Sequence, residues 1–132
     1  MNYKLLLFVP IFLLSLVVTA QSNDWKVLAK KDVAYKHEED VISLRGAEKD
    51  IRKFKIRCTQ GTLKFKKAVI TYSDDSEVEK KPKGTGVISK GMSSLAFTVD
   101  KNKTPTKITL TYEAVGNMVL TKRAKIELLG QE

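Results

Sequence analysis

The chain is nearly devoid of cysteine and histidine: Cys58 and His37 are the only ones in 132 residues. A lone cysteine cannot close an internal disulfide, so the fold must hold by packing. One cysteine and one histidine also fall short of the ligand sets that zinc and copper require. His37 stands beside Glu38, Glu39 and Asp40 in a polar stretch read as a loop, where a solvated imidazole is expected rather than a catalytic one. No G-x-S-x-G, H-E-x-x-H or C-x-x-C motif occurs, so the common nucleophile, metallohydrolase and redox signatures are missing. The densest acidic stretch holds Asp74, Asp75, Glu77 and Glu79 and lacks the D-x-D-x-D-G spacing of a calcium loop. A non-catalytic protein with no metal and no cofactor is expected.

Long apolar runs are missing as well, with one exception. Residues 5–18 are apolar apart from Pro10 and Ser15, follow the basic Lys4, and lead into Val18-Thr19-Ala20. That is the layout of a secretory signal peptide cut after Ala20, and the run is shorter than the ~20 residues that span a bilayer. An uncleaved anchor is the alternative. Cys58 lies far from the cut, which excludes a lipid-anchored lipoprotein. The expected organisation is a signal peptide over residues 1–20 and one domain over residues 21–132, exported to a periplasmic or extracellular space.

Acid is the minority charge. Lysine and arginine number 24 against 15 aspartates and glutamates, a net +9. Only Lys4 is lost with the leader, leaving 23 basic residues and a net +8. Such a chain is drawn to polyanions; the plainer reading is that its lysines serve solubility.

What the sequence does have is alternation, the period-two signature of half-buried strands. Residues 51–58 read I-R-K-F-K-I-R-C, with Phe54, Ile56 and Cys58 on one side and Lys53, Lys55 and Arg57 on the other. After residues 59–62, Leu63 and Phe65 resume the apolar side and Lys64 and Lys66 the charged one. These stretches are expected to pair as a hairpin with a row of five cations on its wet face. Cys58 should be a buried, inert thiol, and serine there should cost more than alanine. Alternation slips after Phe65, which predicts a bulge at Lys66 and Lys67, or else a change of sheet.

Elsewhere, W-K-V-L-A from Trp25 predicts a first strand with Trp25 and Val27 inward, followed by a loop over residues 30–40. Ile42 and Leu44 predict a second strand, against a short helix over residues 37–45. Residues 73–76 form a turn by composition, and residues 77–83 an exposed edge strand or loop. Gly84, Gly86 and Gly91 mark tight geometry around Val87 and Ile88. Leu95, Phe97 and Val99 alternate, Pro105 opens a strand through Ile108, Leu110 and Tyr112, and Gly116-Asn117 interrupts it. Ala124, Ile126 and Leu128 close the chain against Arg123, Lys125 and Glu127. Seven to nine short strands predict an all-β fold, a small single-domain antiparallel β-sandwich, with a small β-barrel as the alternative. Asn102-Lys103-Thr104 fits a glycosylation sequon in a turn.

An ordered set of pieces runs the length of the domain: W-x-x-L from Trp25, D-x-I-x-L from Asp40, F-x-I from Phe54, P-x-K-I-x-L-x-Y from Pro105 and A-K-I-E-L-L-G from Ala124. In this the chain resembles a bacterial domain-of-unknown-function family of short exported β-sandwich proteins. It departs from that pattern at Ala29, where glycine is usual, and Gly91-Met92-Ser93-Ser94-Leu95 only approximates a second run. The resemblance implies the fold and brings no catalytic residue.

The function expected is a non-catalytic exported binding domain whose basic face, Lys53, Lys55, Arg57, Lys64 and Lys66, meets an anionic partner. Lipopolysaccharide, teichoic acid, an anionic lipid surface or extracellular DNA would serve, without base-specific readout. The alternative is a glycan-binding or structural envelope module using Trp25, Tyr35, Tyr72 and Tyr112.

Overall fold

A computed structural model describes residues 24–33, 38–114 and 124–132. The signal-peptide reading, Tyr35, His37, Gly116-Asn117 and Arg123 lie outside them. Among the described residues nine strands are assigned: β1 (Lys26–Val33), β2 (Glu38–Ser43), β3 (Lys53–Gln60), β4 (Thr62–Tyr72), β5 (Glu77–Lys80), β6 (Val87–Ser89), β7 (Phe97–Thr98), β8 (Pro105–Ala114) and β9 (Ala124–Gln131). They form a four-stranded sheet, β1-β9-β3-β7, and a five-stranded sheet, β2-β8-β4-β5 with β6 also on β4. All pairings are antiparallel. The sheets do not close into a barrel; the fold is a small β-sandwich.

The inward sets of the two sheets make one core. Phe54, Ile56, Cys58, Ile126 and Leu128 come from the four-stranded sheet, and Leu63, Phe65, Ile70, Ile108, Leu110 and Tyr112 from the other. Phe97 ties them together, its ring centroid 5.3 Å from Phe54 and 5.7 Å from Phe65. Aromatic pairs at such distances add stabilisation beyond the area they bury.

The expected hairpin does not form. β3 pairs with β9 and β7, whereas β4 pairs with β8, β5 and β6, so consecutive strands lie in different sheets. Alternation identifies the side that faces the core, and that side is apolar whether two strands are neighbours or face each other across a sandwich. The switch occurs at Gly61, whose φ is +73°. A Cβ there would stand 3.2 Å from the Cα of Ala124, tighter than side chains normally tolerate.

Within β4 the expected bulge is present, between Phe65 and Lys67. It returns Ala68, Ile70 and Tyr72 to the core side. A second bulge, between Val27 and Ala29 on β1, overturns the reading of Trp25 and Val27 as core. Val27 is 46% exposed, Trp25 is half-buried, and Leu28 and Ala29 pack against the core instead. β1 also runs on to Val33, and β2 begins at Glu38, where a loop was expected. Residues 38–43 are strand, not helix. A 3-10 turn, Gly46–Asp50, was not foreseen; the Glu48 carboxylate accepts from the Arg45 amide at 2.8 Å.

Leu95 is the other reversal, at 67% exposed. Ladder-like bonds hold residues 91–94 to β3: the Ile56 amide donates to Ser94 Oγ at 3.0 Å, and the Cys58 amide to the Met92 carbonyl at 2.9 Å. The chain enters regular pairing only at Phe97, so the alternation read from Leu95 does not apply.

Cys58 is fully buried, with Sγ 3.3 Å from the carbonyls of both Gln60 and Gly61. These acceptors remove the reason to expect serine to be the worse replacement. Cys58→Ser should cost no more than Cys58→Ala in urea denaturation, and less than the roughly 1–3 kcal/mol of an unpaired buried hydroxyl. Burial pushes the thiol above its ordinary value of 9.0, so the folded state holds this proton more tightly than the unfolded chain. Its contribution to stability is complete below that pH and is lost as pH rises further. Urea midpoints should therefore fall more steeply above about pH 9 in the wild type than in Cys58→Ala.

Candidate anion-binding surfaces

Because β3 and β4 belong to opposite sheets, the five predicted cations divide. Lys53, Lys55 and Arg57 lie on the outer face of the four-stranded sheet; Lys64 and Lys66 lie on the outer face of the other. The structure brings together three and then two, not five.

On the four-stranded sheet, Arg57 is directly opposite Glu127, and its guanidinium donates to the Glu127 carboxylate. Lys30 flanks Glu127 from the other side in register. Lys55 Nζ sits 4.4 Å above the centre of the Trp25 ring, a cation–π contact. Lys53 is exposed. With Lys125 opposite Asp32, the outward set of β1, β9 and β3 comprises Lys30, Lys53, Lys55, Arg57 and Lys125 against Asp32 and Glu127. Cations outnumber carboxylates by three. Leu129 belongs to the same outward row, between Val27 and Lys55, yet is only 2% exposed. Leu129 is therefore covered rather than presented to solvent.

The five-stranded sheet is arranged differently. Outward Lys66 reaches Glu113 at 3.4 Å and Lys67 reaches Glu79 at 3.6 Å. Such exposed pairs contribute little stability, but they neutralise charge. Across the face Lys64, Lys66, Lys67 and Lys107 meet Glu39, Glu77, Glu79 and Glu113, four against four. The bulge turns the consecutive Lys66 and Lys67 toward one cleft of about 580 Å³, which Lys64, Lys81, Glu39 and Glu79 also line. Lys30, Lys67, Lys81 and Lys125 were not singled out from sequence. For Lys67 the slipped alternation was the available signal.

The wall of this cleft is the loop over residues 81–86. It is anchored where the Phe65 amide donates to the Gly86 carbonyl at 2.8 Å. Gly86 has φ +74°, and a Cβ there would fall 2.2 Å from the Phe65 carbonyl oxygen. Only glycine fits.

The acidic run forms a turn. Asp74 accepts from the Ser76 hydroxyl and amide and pairs with Lys103 at 3.2 Å. Those Ser76 bonds first, and Lys103 after them, hold its carboxyl at about 2. Among the described residues no group of three or more His, Cys, Asp or Glu could hold a metal ion. Of the aromatic candidates, Tyr72 and Tyr112 are buried, and the Tyr72 hydroxyl accepts from the Asp100 amide at 3.0 Å. Trp25 alone of the described ones reaches the surface, beneath Lys55. Asn102 of the sequon is exposed in a turn, its amide donating to Asp100 Oδ1 at 2.9 Å.

A profile of the family described as "Domain of unknown function (DUF2541)" matches residues 5–130. No curated protein and no solved structure matches the chain.

Two glycines test the loop geometry against each other. Gly91 also has positive φ, +85°, but nothing lies within 4 Å of a Cβ placed there. Gly91→Ala should cost about 1 kcal/mol, from the left-handed backbone alone. Gly86→Ala adds a backbone collision and should cost more than about 3 kcal/mol, read as a drop in urea midpoint.

Proposed function

The chain belongs to the DUF2541 family, and we propose that it acts as a non-catalytic exported binding domain whose four-stranded sheet presents a basic face to an anionic partner. One observation carries this reading: the outward cations of that face exceed its carboxylates by three, while the opposite face is balanced. No two of these cations stand directly opposite each other: Arg57 and Lys30 face Glu127, Lys125 faces Asp32, and Lys53 and Lys55 face Gln131 and Leu129. The surplus is a net field over the face, which attracts a polyanion. The leader-like residues 1–20 support export, which makes lipopolysaccharide, teichoic acid, an anionic lipid surface or extracellular DNA the reachable partners. Exposed lysines attract all of these through phosphate or carboxylate groups, so attraction rather than sequence readout governs binding. The glycan-binding alternative has narrower support: one half-buried tryptophan, already covered by a lysine.

Retention on immobilised heparin, a generic polyanion, separates the two faces. The variant Lys53→Gln/Lys55→Gln/Arg57→Gln should elute at clearly lower salt than wild type, with Lys64→Gln/Lys66→Gln close to it. Retention should fall steeply with salt for all proteins. Unchanged retention of the triple variant, with its circular dichroism intact, would sink the proposal.

A further inference from the structure

The cleft of the five-stranded sheet has a neighbour of opposite chemistry. Across the loop over residues 81–86 lies a groove of about 190 Å³, whose apolar lining is Phe65, Ile88, Phe97, Val87, Met92 and Leu95, with Lys83 at its edge. Phe65, Pro82 and Thr85 line both the groove and the cleft. A basic depression and an apolar one are therefore separated by a single loop.

Three features distinguish this pair from ordinary surface. Val87, Met92 and Leu95 are 42%, 51% and 67% exposed, half of the large exposed hydrophobics among the described residues, and all three border the one groove. Clustered exposed apolar groups mark binding sites, where scattered ones do not. Residues 80–99 hold Lys80, Lys81, Lys83 and Lys90 and not one acidic residue. In the cleft, Glu79 is engaged by Lys67, and Lys66 by Glu113; among the described residues Lys64 and Lys81 make no ion pair, although Glu113 stands opposite Lys64 in register. Glu39 is the remaining acid on the cleft wall.

We propose that the cleft and groove together hold one anionic amphiphile. Its acidic head lies at Lys64 and Lys81, with Lys66 and Lys67 beside it, and its alkyl chain lies along Val87, Met92 and Leu95. Charge complementarity selects the head, since the free lysines sit at the cleft and the groove has no acid of its own. The adjoining apolar surface selects a chain over a bare ion, because a small inorganic anion leaves Val87, Met92 and Leu95 in water. The bulge has a role here: regular alternation would point Lys67 away from the side that Lys66 occupies, and the extra residue brings both to the same cleft. Gly86 holds the dividing loop against β4. This site is independent of the basic face of the four-stranded sheet.

Dodecyl phosphate, used below its micelle concentration, is the probe, with binding read by calorimetry and by amide shifts of residues 64–67 and 81–95. Wild type should bind it. Lys64→Gln/Lys81→Gln and, separately, Leu95→Asn should each weaken binding about tenfold; all three positions are exposed, so folding is not at stake. Inorganic phosphate and the neutral dodecyl maltoside should each bind at least about tenfold more weakly than dodecyl phosphate. Equal binding of either control would overturn the proposal, as would indifference to both variants. Binding only to anionic vesicles and not to the monomeric probe would also overturn it, showing a membrane-docking face instead. Lys53→Gln/Lys55→Gln/Arg57→Gln should bind dodecyl phosphate like wild type, so this site and the basic face stand or fall separately.

Discussion

The burial of one face of each sheet against the other, with the chain crossing between them at Gly61, is the constraint on which the molecule depends. Cys58 and Leu63 both point into the core from strands that never pair. A side chain at Gly61 would press on Ala124, so the crossing is tight as well as sharp. Phe97 then closes the gap, touching an aromatic ring from each sheet. Because the apolar sides face one another, the charged sides must face apart. The placement of every cation discussed above follows from that geometry.

The two outer faces have consequently taken different electrostatic forms. The five-stranded face alternates lysine and glutamate, and its pairs at 3.4 and 3.6 Å hold the field low. Threonines at 109 and 111 stand between the charges on β8, the central strand of that face. The four-stranded face has two carboxylates, Asp32 and Glu127, among five cations. Solubility alone would be served equally well by either arrangement. The unbalanced face offers a polyanion a surplus spread over three strands, whereas on the other face the unpaired lysines are confined to the cleft beside residues 81–86.

The sheet edges use polar residues in a different way. In register, Lys31 on β1 falls in the inward row beside Ile126, and Glu38 and Asp40 on β2 fall beside Tyr112 and Leu110. Charges turned inward on edge strands discourage pairing with another chain. This placement carries a cost, since Asp40 Oδ2 and the Tyr112 hydroxyl are buried with no hydrogen-bond partner among the described residues. A buried polar atom left unpaired typically costs ~1–3 kcal/mol.

Much of the architecture was readable from residue order alone. Alternation at Phe54, Ile56 and Cys58, at Ile108, Leu110 and Tyr112, and at Ala124, Ile126 and Leu128 identified strands and their inward sides, because a half-buried strand must repeat every two residues. The slip after Phe65 located a bulge for the same reason. Leu95 and Val27 misled, since alternation presumes regular pairing and both stand where the ladder is irregular. What the order of residues could not supply was the partner of each strand. An apolar side satisfies the core equally well from a neighbouring strand or from across the sandwich, so nothing local distinguishes a hairpin from a crossing. The inward set was thus determined by sequence, by the free energy of removing apolar surface from water. The division of Lys53, Lys55 and Arg57 from Lys64 and Lys66 was decided only by the tertiary structure, because it depends on hydrogen-bond partners distant along the chain.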